Sequence, residues 1–143
     1  YAASVGITVS ILLLVYPQNV IFKAFLTTAL VYGGMATYGL VTKKSLQAWG
    51  TFLFMALFGL IIAIFVNLFT QSRMFDYVIS WIGVIIFALL TAYDHQKLRV
   101  IHAGGFNNEA EEGAMVVHGA LMLYLDFINI FIFLVKIFGA SRD

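Results

Sequence analysis

Asp126 lies in the run Leu121-Met-Leu-Tyr-Leu-Asp-Phe-Ile-Asn-Ile-Phe-Ile-Phe-Leu-Val135, where nearly every neighbour is apolar. An ionised carboxylate in hydrocarbon costs roughly 2.5–3.5 kcal/mol on insertion scales, so this one must face protein or water. Three-and-four spacing places Gly119, Met122, Asp126, Asn129 and Phe133 on one helix face, which is expected to point inward. A second acid, Asp94, closes Phe87-Ala-Leu-Leu-Thr-Ala-Tyr-Asp94. If its helix stops there, Asp94 sits roughly 25 Å along from Tyr77, at a membrane surface. If Leu98, Val100 and Ile101 continue the helix while Lys97 and Arg99 snorkel outward, Asp94 lies about two turns inside and can approach Asp126.

Two carboxylates a few ångströms apart cannot both ionise cheaply, and they titrate as a unit. Such a diacid senses protons. Deprotonated, it offers the hard oxygens that calcium prefers at about 2.3–2.6 Å, in too small a number for tight binding, which suits passage better than storage. A plainer arrangement stays open: Asp94 solvated at a helix end beside Lys97, and Asp126 a protonated structural carboxyl bonded to Asn129. Tyr93 and Tyr124 closely precede the two acids and are candidates to bond them, or to pack at the interface. His95, His102 and His118 lack a metal-ligand spacing such as i, i+4 on one helix. Glu109, Glu111 and Glu112 lack the framework of an EF-hand and read as a solvated loop face.

The elements that position these residues are membrane helices. The chain is 62% hydrophobic and 10% charged, whereas an ordinary soluble domain is about half apolar and about a quarter charged. Net charge is +1 with no long basic block, so nucleic acid is not an expected partner. Cysteine is absent, which removes disulfides, thiolate metal sites and thiol nucleophiles. Polar breaks leave apolar stretches over 2–16, 20–41, 49–70, 77–101 and 113–139, each apolar all round and unlike the alternating strands of a membrane barrel. The expectation is an all-α, polytopic transmembrane helix bundle forming a single domain over 1–143, with five spans present. The first stretch is shorter than the roughly twenty residues that cross a bilayer and does not read as a signal peptide; it is expected to be the remainder of a longer span.

Short breaks at Pro17-Gln-Asn19, Thr42–Ser45 and Gln71–Asp76 make consecutive helices antiparallel, and the one long polar connection is expected over Asp94–Glu112. Gly33, Gly34, Ala36, Gly39, Gly59, Ala63 and Gly83 are expected where helices cross closely. Lys43, Lys44, Lys97 and Arg99 cluster in loops on one side, against Lys23, Arg73, Lys136 and Arg142 on the other, and the clusters favour a cytoplasmic location.

Across essentially its whole length the sequence resembles the Bax inhibitor-1-like family, also called the transmembrane BAX inhibitor motif family, and most closely its bacterial members. The resemblance rests on Ala24-Phe-Leu-Thr-Thr-Ala29, Gly33-Gly-Met-Ala-Thr-Tyr-Gly39, Gly50-Thr-Phe-Leu-Phe-Met55, Thr91-Ala-Tyr-Asp94 and Leu123-Tyr-Leu-Asp-Phe-Ile-Asn129. It implies a seven-helix bundle of which this chain holds the C-terminal part, the third through seventh helices. It also implies a bacterial inner membrane location, the Asp94 end of its helix on the cytoplasmic side, and a pH-sensitive calcium leak gated by an aspartate pair at Asp94 and Asp126. The family's gate further uses a basic residue on an early helix that would precede this chain.

The leading expectation is therefore passive, pH-regulated calcium transport, with the bilayer and calcium ions as partners and no cofactor beyond a transient calcium ion. The alternative is a non-transporting regulatory membrane protein that binds a membrane protease or another protein through the polar Asp94–Glu112 segment. An intramembrane aspartyl protease would need Gly-x-Gly-Asp at its second acid, whereas Asp126 follows Leu123-Tyr-Leu. The chain is not expected to be an enzyme.

Overall fold

Gln18–Val41 forms α1, Trp49–Thr70 α2, Arg73–Gly104 α3 and Glu109–Ser141 α4 in the computed structural model. The described residues are 16–42, 46, 48–105 and 107–141, with 7, 10, 11 and 14. The predicted stretch 2–16 falls almost wholly outside them. All four helices are long and apolar enough to cross a membrane.

Local chemistry accounts for the helix ends. Pro17 holds extended backbone at ψ 151° and its carbonyl accepts from the amides of Val20 and Ile21, which starts α1. Gln71 ends α2 in the left-handed region at φ 50°. Asn67 steadies that turn by accepting from the Ser72 amide at 3.2 Å, and the Ser72 hydroxyl caps α3 by accepting from Phe75 at 3.2 Å. A two-residue connection leaves α2 and α3 no choice but to run antiparallel.

The two site-bearing helices are longer than the predicted spans 77–101 and 113–139. α3 has 32 residues and α4 has 33, about 48 Å each against roughly 30 Å of hydrocarbon. Both therefore exceed the length that hydrocarbon alone requires. The long polar connection expected over Asp94–Glu112 contracts to residues 105–108. Gly105, at φ +76°, makes the exit that a side chain would resist, and Asn108 caps α4 by accepting from the Glu111 amide at 2.7 Å. Glu109, Glu111 and Glu112 are thus the first turn of a helix rather than a loop face, where negative charge is favourable beside the positive end of the helix dipole.

α3 and α4 pack along their length, α1 lies against both, and α2 rests chiefly on α3. Leu53, Ile130 and Val135 fill the core. Its buried hydroxyls are answered within their own helices: Thr28 donates to Ala24 at 2.6 Å, Thr91 to Phe87 at 2.7 Å and Ser80 to Asp76 at 2.9 Å. Outward, α2 shows Phe52, Phe54, Met55, Phe58 and Phe65, an arrangement suited to lipid.

Close approach is confined to a few of the expected glycines. A Cβ at Gly39 would run into the Ala92 backbone, and one at Gly83 would fall 2.7 Å from the Phe133 ring. A Cβ on Gly33, Gly34 or Gly59 would meet nothing among the described residues within 4 Å.

The α1–α2 connection is fastened to the outer part of α3. The Leu46 amide donates to Gln96 Oε1 at 2.6 Å. Arg99, rather than snorkelling outward, donates to the carbonyls of Leu40 and Thr42 at the end of α1, where terminal carbonyls lack partners and welcome a cation. Arg99→Ala is expected to cost about 1 kcal/mol in thermal unfolding in detergent, with Arg99→Lys intermediate because one ammonium does not reproduce the planar fork.

Candidate functional site

Asp94 and Asp126 come together at the α3–α4 interface. Because α3 continues to Gly104, Asp94 lies ten residues inside its end, about 15 Å from it, so the helix runs on past Asp94 as in the second of the two expected placements. Both acids are buried, at 7% and 4% exposure. Their carboxyl groups are within hydrogen-bonding reach of each other. A hydrogen bond between two carboxyl groups needs at least one of them protonated. Asp126 Oδ2 is buried without a hydrogen-bond partner among the described residues.

Asn129 lies one turn from Asp126 as its spacing predicts, but its amide donates to the Leu125 carbonyl at 2.7 Å. The structural alternative in which Asn129 ties up the Asp126 carboxyl is not the arrangement formed. Both acids instead open on a cleft of about 580 Å³ between α2, α3 and α4. Leu57, Leu60, Ile61 and Ile64 of α2 make its apolar wall, and Lys97 and His118 stand at the end nearer the α3–α4 connection. Met122, Asn129 and Phe133 line it with Asp126, so the face read from spacing does turn inward.

The two tyrosines predicted to support the acids are placed elsewhere. Tyr124 is 45% exposed. Tyr93 reaches the start of α2, its hydroxyl 2.6 Å from where a Cβ on Gly50 would stand. The tyrosine near the pair is Tyr32 of α1, which interacts electrostatically with both aspartates. Its ring packs edge-on against His95 and Phe127, each at 5.4 Å between centroids. A usable signal for it existed: Ala24 and Thr28 are buried on α1, and Tyr32 continues their four-residue spacing. His95 Nδ1 lies 2.8 Å from the Thr91 carbonyl; a carbonyl only accepts, so that nitrogen carries the hydrogen. Lys97, His95 and His118 are the basic groups whose field reaches Asp94.

Among the described residues no three or more His, Asp or Glu side chains gather as a metal cage. The site offers a cation two carboxylates in a mostly apolar cleft, with one amide beside them and Lys97 and His118 also in its lining. That arrangement can take up and release a proton, and its doubly ionised form presents oxygens to a passing cation.

Membrane-length helices packed around a buried carboxyl pair define a multi-pass helical membrane protein. The chain matches the family described as "Inhibitor of apoptosis-promoting Bax1" over residues 1–143, and it belongs to this Bax inhibitor-1-like family. It is 48% identical over 143 residues to an uncharacterized protein of Deinococcus radiodurans, covering 100% of this chain and 61% of that one. It is 40% identical to the inner membrane protein YbhL of Escherichia coli K12, covering 99% and 61%, and 42% identical to an uncharacterized membrane protein of Streptococcus pyogenes, covering 99% and 61%. The chain thus spans about three-fifths of the length of these relatives.

Proposed function

We propose that this chain carries the ion pathway of a pH-regulated calcium leak, in which the Asp94–Asp126 pair is both proton sensor and cation site. The observation that carries the reading is the meeting of two buried carboxyls from neighbouring helices in one cleft. With the shared proton in place the pair is held together and its charge is reduced. When the proton leaves, the two carboxylates repel, and a calcium ion entering the cleft relieves that repulsion. The sign follows: flux rises as pH rises. The reading is of a passive, non-enzymatic pathway without a resident cofactor. We also propose that stretch 2–16 is part of a fifth span and that the whole protein follows a seven-helix plan. The regulatory alternative has less to stand on, because the polar segment that would dock a partner is reduced to residues 105–108 and the acidic turn beginning at Glu109.

Reconstitution into liposomes loaded with a calcium-sensitive dye tests this. Flux is expected to increase from about pH 5 to about pH 8, by at most about tenfold per pH unit where one proton controls the site. Silence at every pH from verifiably inserted protein would end the transport reading for this chain and turn attention to a binding partner.

A further inference from the structure

Each acid of the pair is followed directly by a ring: His95 after Asp94 on α3, and Phe127 after Asp126 on α4. Successive residues of a helix point about 100° apart. With both acids turned into the α3–α4 seam, the next residue on each helix therefore flanks that seam. One ring from α1 meets both flanks. Tyr32 packs edge-on against His95 and against Phe127, 5.4 Å between centroids in each case, with planes at 74° and 72°. His95 is held for this contact by its own helix, its Nδ1 donating to the Thr91 carbonyl at 2.8 Å.

The contact is local to the acids and separate from the cleft. The cleft takes its walls from α2, α3 and α4, and no described residue of α1 lines it, so α1 meets the seam from another side. The two ring partners of Tyr32 sit one residue from the acids, about 1.5 Å along either helix axis, and Tyr32 lies in the electrostatic field of both carboxyls. Two turns earlier on α1, Phe25 also makes two edge-on contacts, with Phe127 at 6.1 Å and Phe131 at 6.4 Å. Both of those partners belong to α4. Tyr32, by contrast, bridges α3 and α4.

We infer that Tyr32 is the positioning residue of the acid site: its ring, bridging the residues that follow the two aspartates, holds α3 and α4 at the spacing at which Asp94 and Asp126 meet. Edge-to-face ring pairs favour contact beyond burial by roughly two- to tenfold each, so a ring that makes one such pair with each helix favours the closed seam by roughly five- to a hundredfold. The work is done by the ring and not by the hydroxyl. Carboxylates that repel would otherwise drive the helices apart, and a bracket across them keeps both within reach of one cation. The inference deepens the transport reading and rests on it for its functional meaning. The geometry of the bracket stands without it.

The infrared C=O band of the paired carboxyls reads this spacing directly. The chain has seven Asp and Glu residues, so the band is assigned by its loss in Asp126→Asn, with all variants compared at one acid pH in the reconstituted protein. Tyr32→Leu is expected to move the band toward that of a solitary carboxyl and to lower calcium flux at the alkaline end by about tenfold. Tyr32→Phe, which keeps the ring, restores both to the parent values. Phe25→Leu removes an α1 ring that bridges nothing and leaves the band in place. Phe127→Leu takes away the α4 partner of Tyr32 and is expected to move the band as Tyr32→Leu does; it decides the matter if Tyr32→Leu does not fold. A band unmoved in both Tyr32→Leu and Phe127→Leu overturns the inference. So does a band moved by Tyr32→Phe, which would assign the role to the hydroxyl, or moved as far by Phe25→Leu, which would reduce it to general packing of α1. The band needs no calcium, so a ring-dependent band with silent liposomes would sink the transport reading alone. Flux that rises with pH beside a band indifferent to residue 32 would sink the positioning role alone.

Discussion

Asp126→Asn is expected to flatten the pH dependence of calcium flux between about pH 5 and about pH 8 and to lower flux at the alkaline end by roughly tenfold or more. Asparagine is close to isosteric with aspartate, and its amide can donate to Asp94 as a protonated Asp126 would, so the helix contact survives. The second negative charge and the proton exchanged between the acids do not. Two unit charges about 4 Å apart repel by roughly 4 kcal/mol at an effective dielectric near 20, and an entering divalent cation draws on that repulsion. A single carboxylate beside a neutral amide has none to relieve. Asp94→Asn is expected to give the same flat profile, and the double variant to be no worse than either single one, because the pair acts as a unit. Additive losses in the double variant, or a pH profile that persists in both single variants, would mean that the sensor lies elsewhere. Stability separates this from misfolding: the asparagine variants should unfold near the parent temperature, whereas Asp126→Leu strands the Asp94 carboxyl and should cost about 1–3 kcal/mol.

Gly39→Ala should destabilise the bundle by about 2–3 kcal/mol, at the upper end for overpacking by a single methyl group. At most crowded positions a neighbouring side chain can swing away. At Gly39 the obstruction is the Ala92 backbone itself, so α1 must shift as a body. That shift would also strain Arg99 on the Leu40 and Thr42 carbonyls and Gln96 on the Leu46 amide. These contacts lie within two turns of Asp94 on α3, so the variant should disturb the acid site as well as the fold. Gly33→Ala is the matched control. A Cβ on Gly33 would meet nothing described within 4 Å, and a mid-helix glycine is about 0.5–1 kcal/mol less favourable than alanine; this change is expected to be neutral or mildly stabilising. Chemical denaturation in detergent, followed by helix content, measures both. Equal effects at the two positions would contradict the α1–α3 packing described above.

Much of the site was legible along the chain because two one-dimensional rules govern it. Uninterrupted apolar runs of membrane length must be helices, since hydrocarbon offers backbone amides no other partner. An acid in the middle of such a run must face inward, and Asp126 does. The face carrying Met122, Asn129 and Phe133 follows from helical spacing alone, and it is the face that lines the cleft.

The remainder depended on distances between helices, which no periodicity encodes. Whether Asp94 was a surface residue or half of a buried pair turned on where α3 ends, and Lys97 and Arg99 are compatible with a helix end or with its continuation. Tertiary packing settled it by giving Arg99 the open carbonyls of α1 to cap. Tyr93 and Tyr124 neighbour the acids in sequence, but adjacent helical residues point about 100° apart, and it is Tyr32, from another helix, that lies in the electrostatic field of both. Gly33 and Gly39 are chemically identical, yet only Gly39 meets a backbone. The residues by themselves determined membrane helices, an inward acid face and membership of a family. The antiparallel register of α3 on α4 brought Asp94 to Asp126 and Phe87 to Phe133, because that register is set by how side chains interlock between helices and not by the order of residues within one.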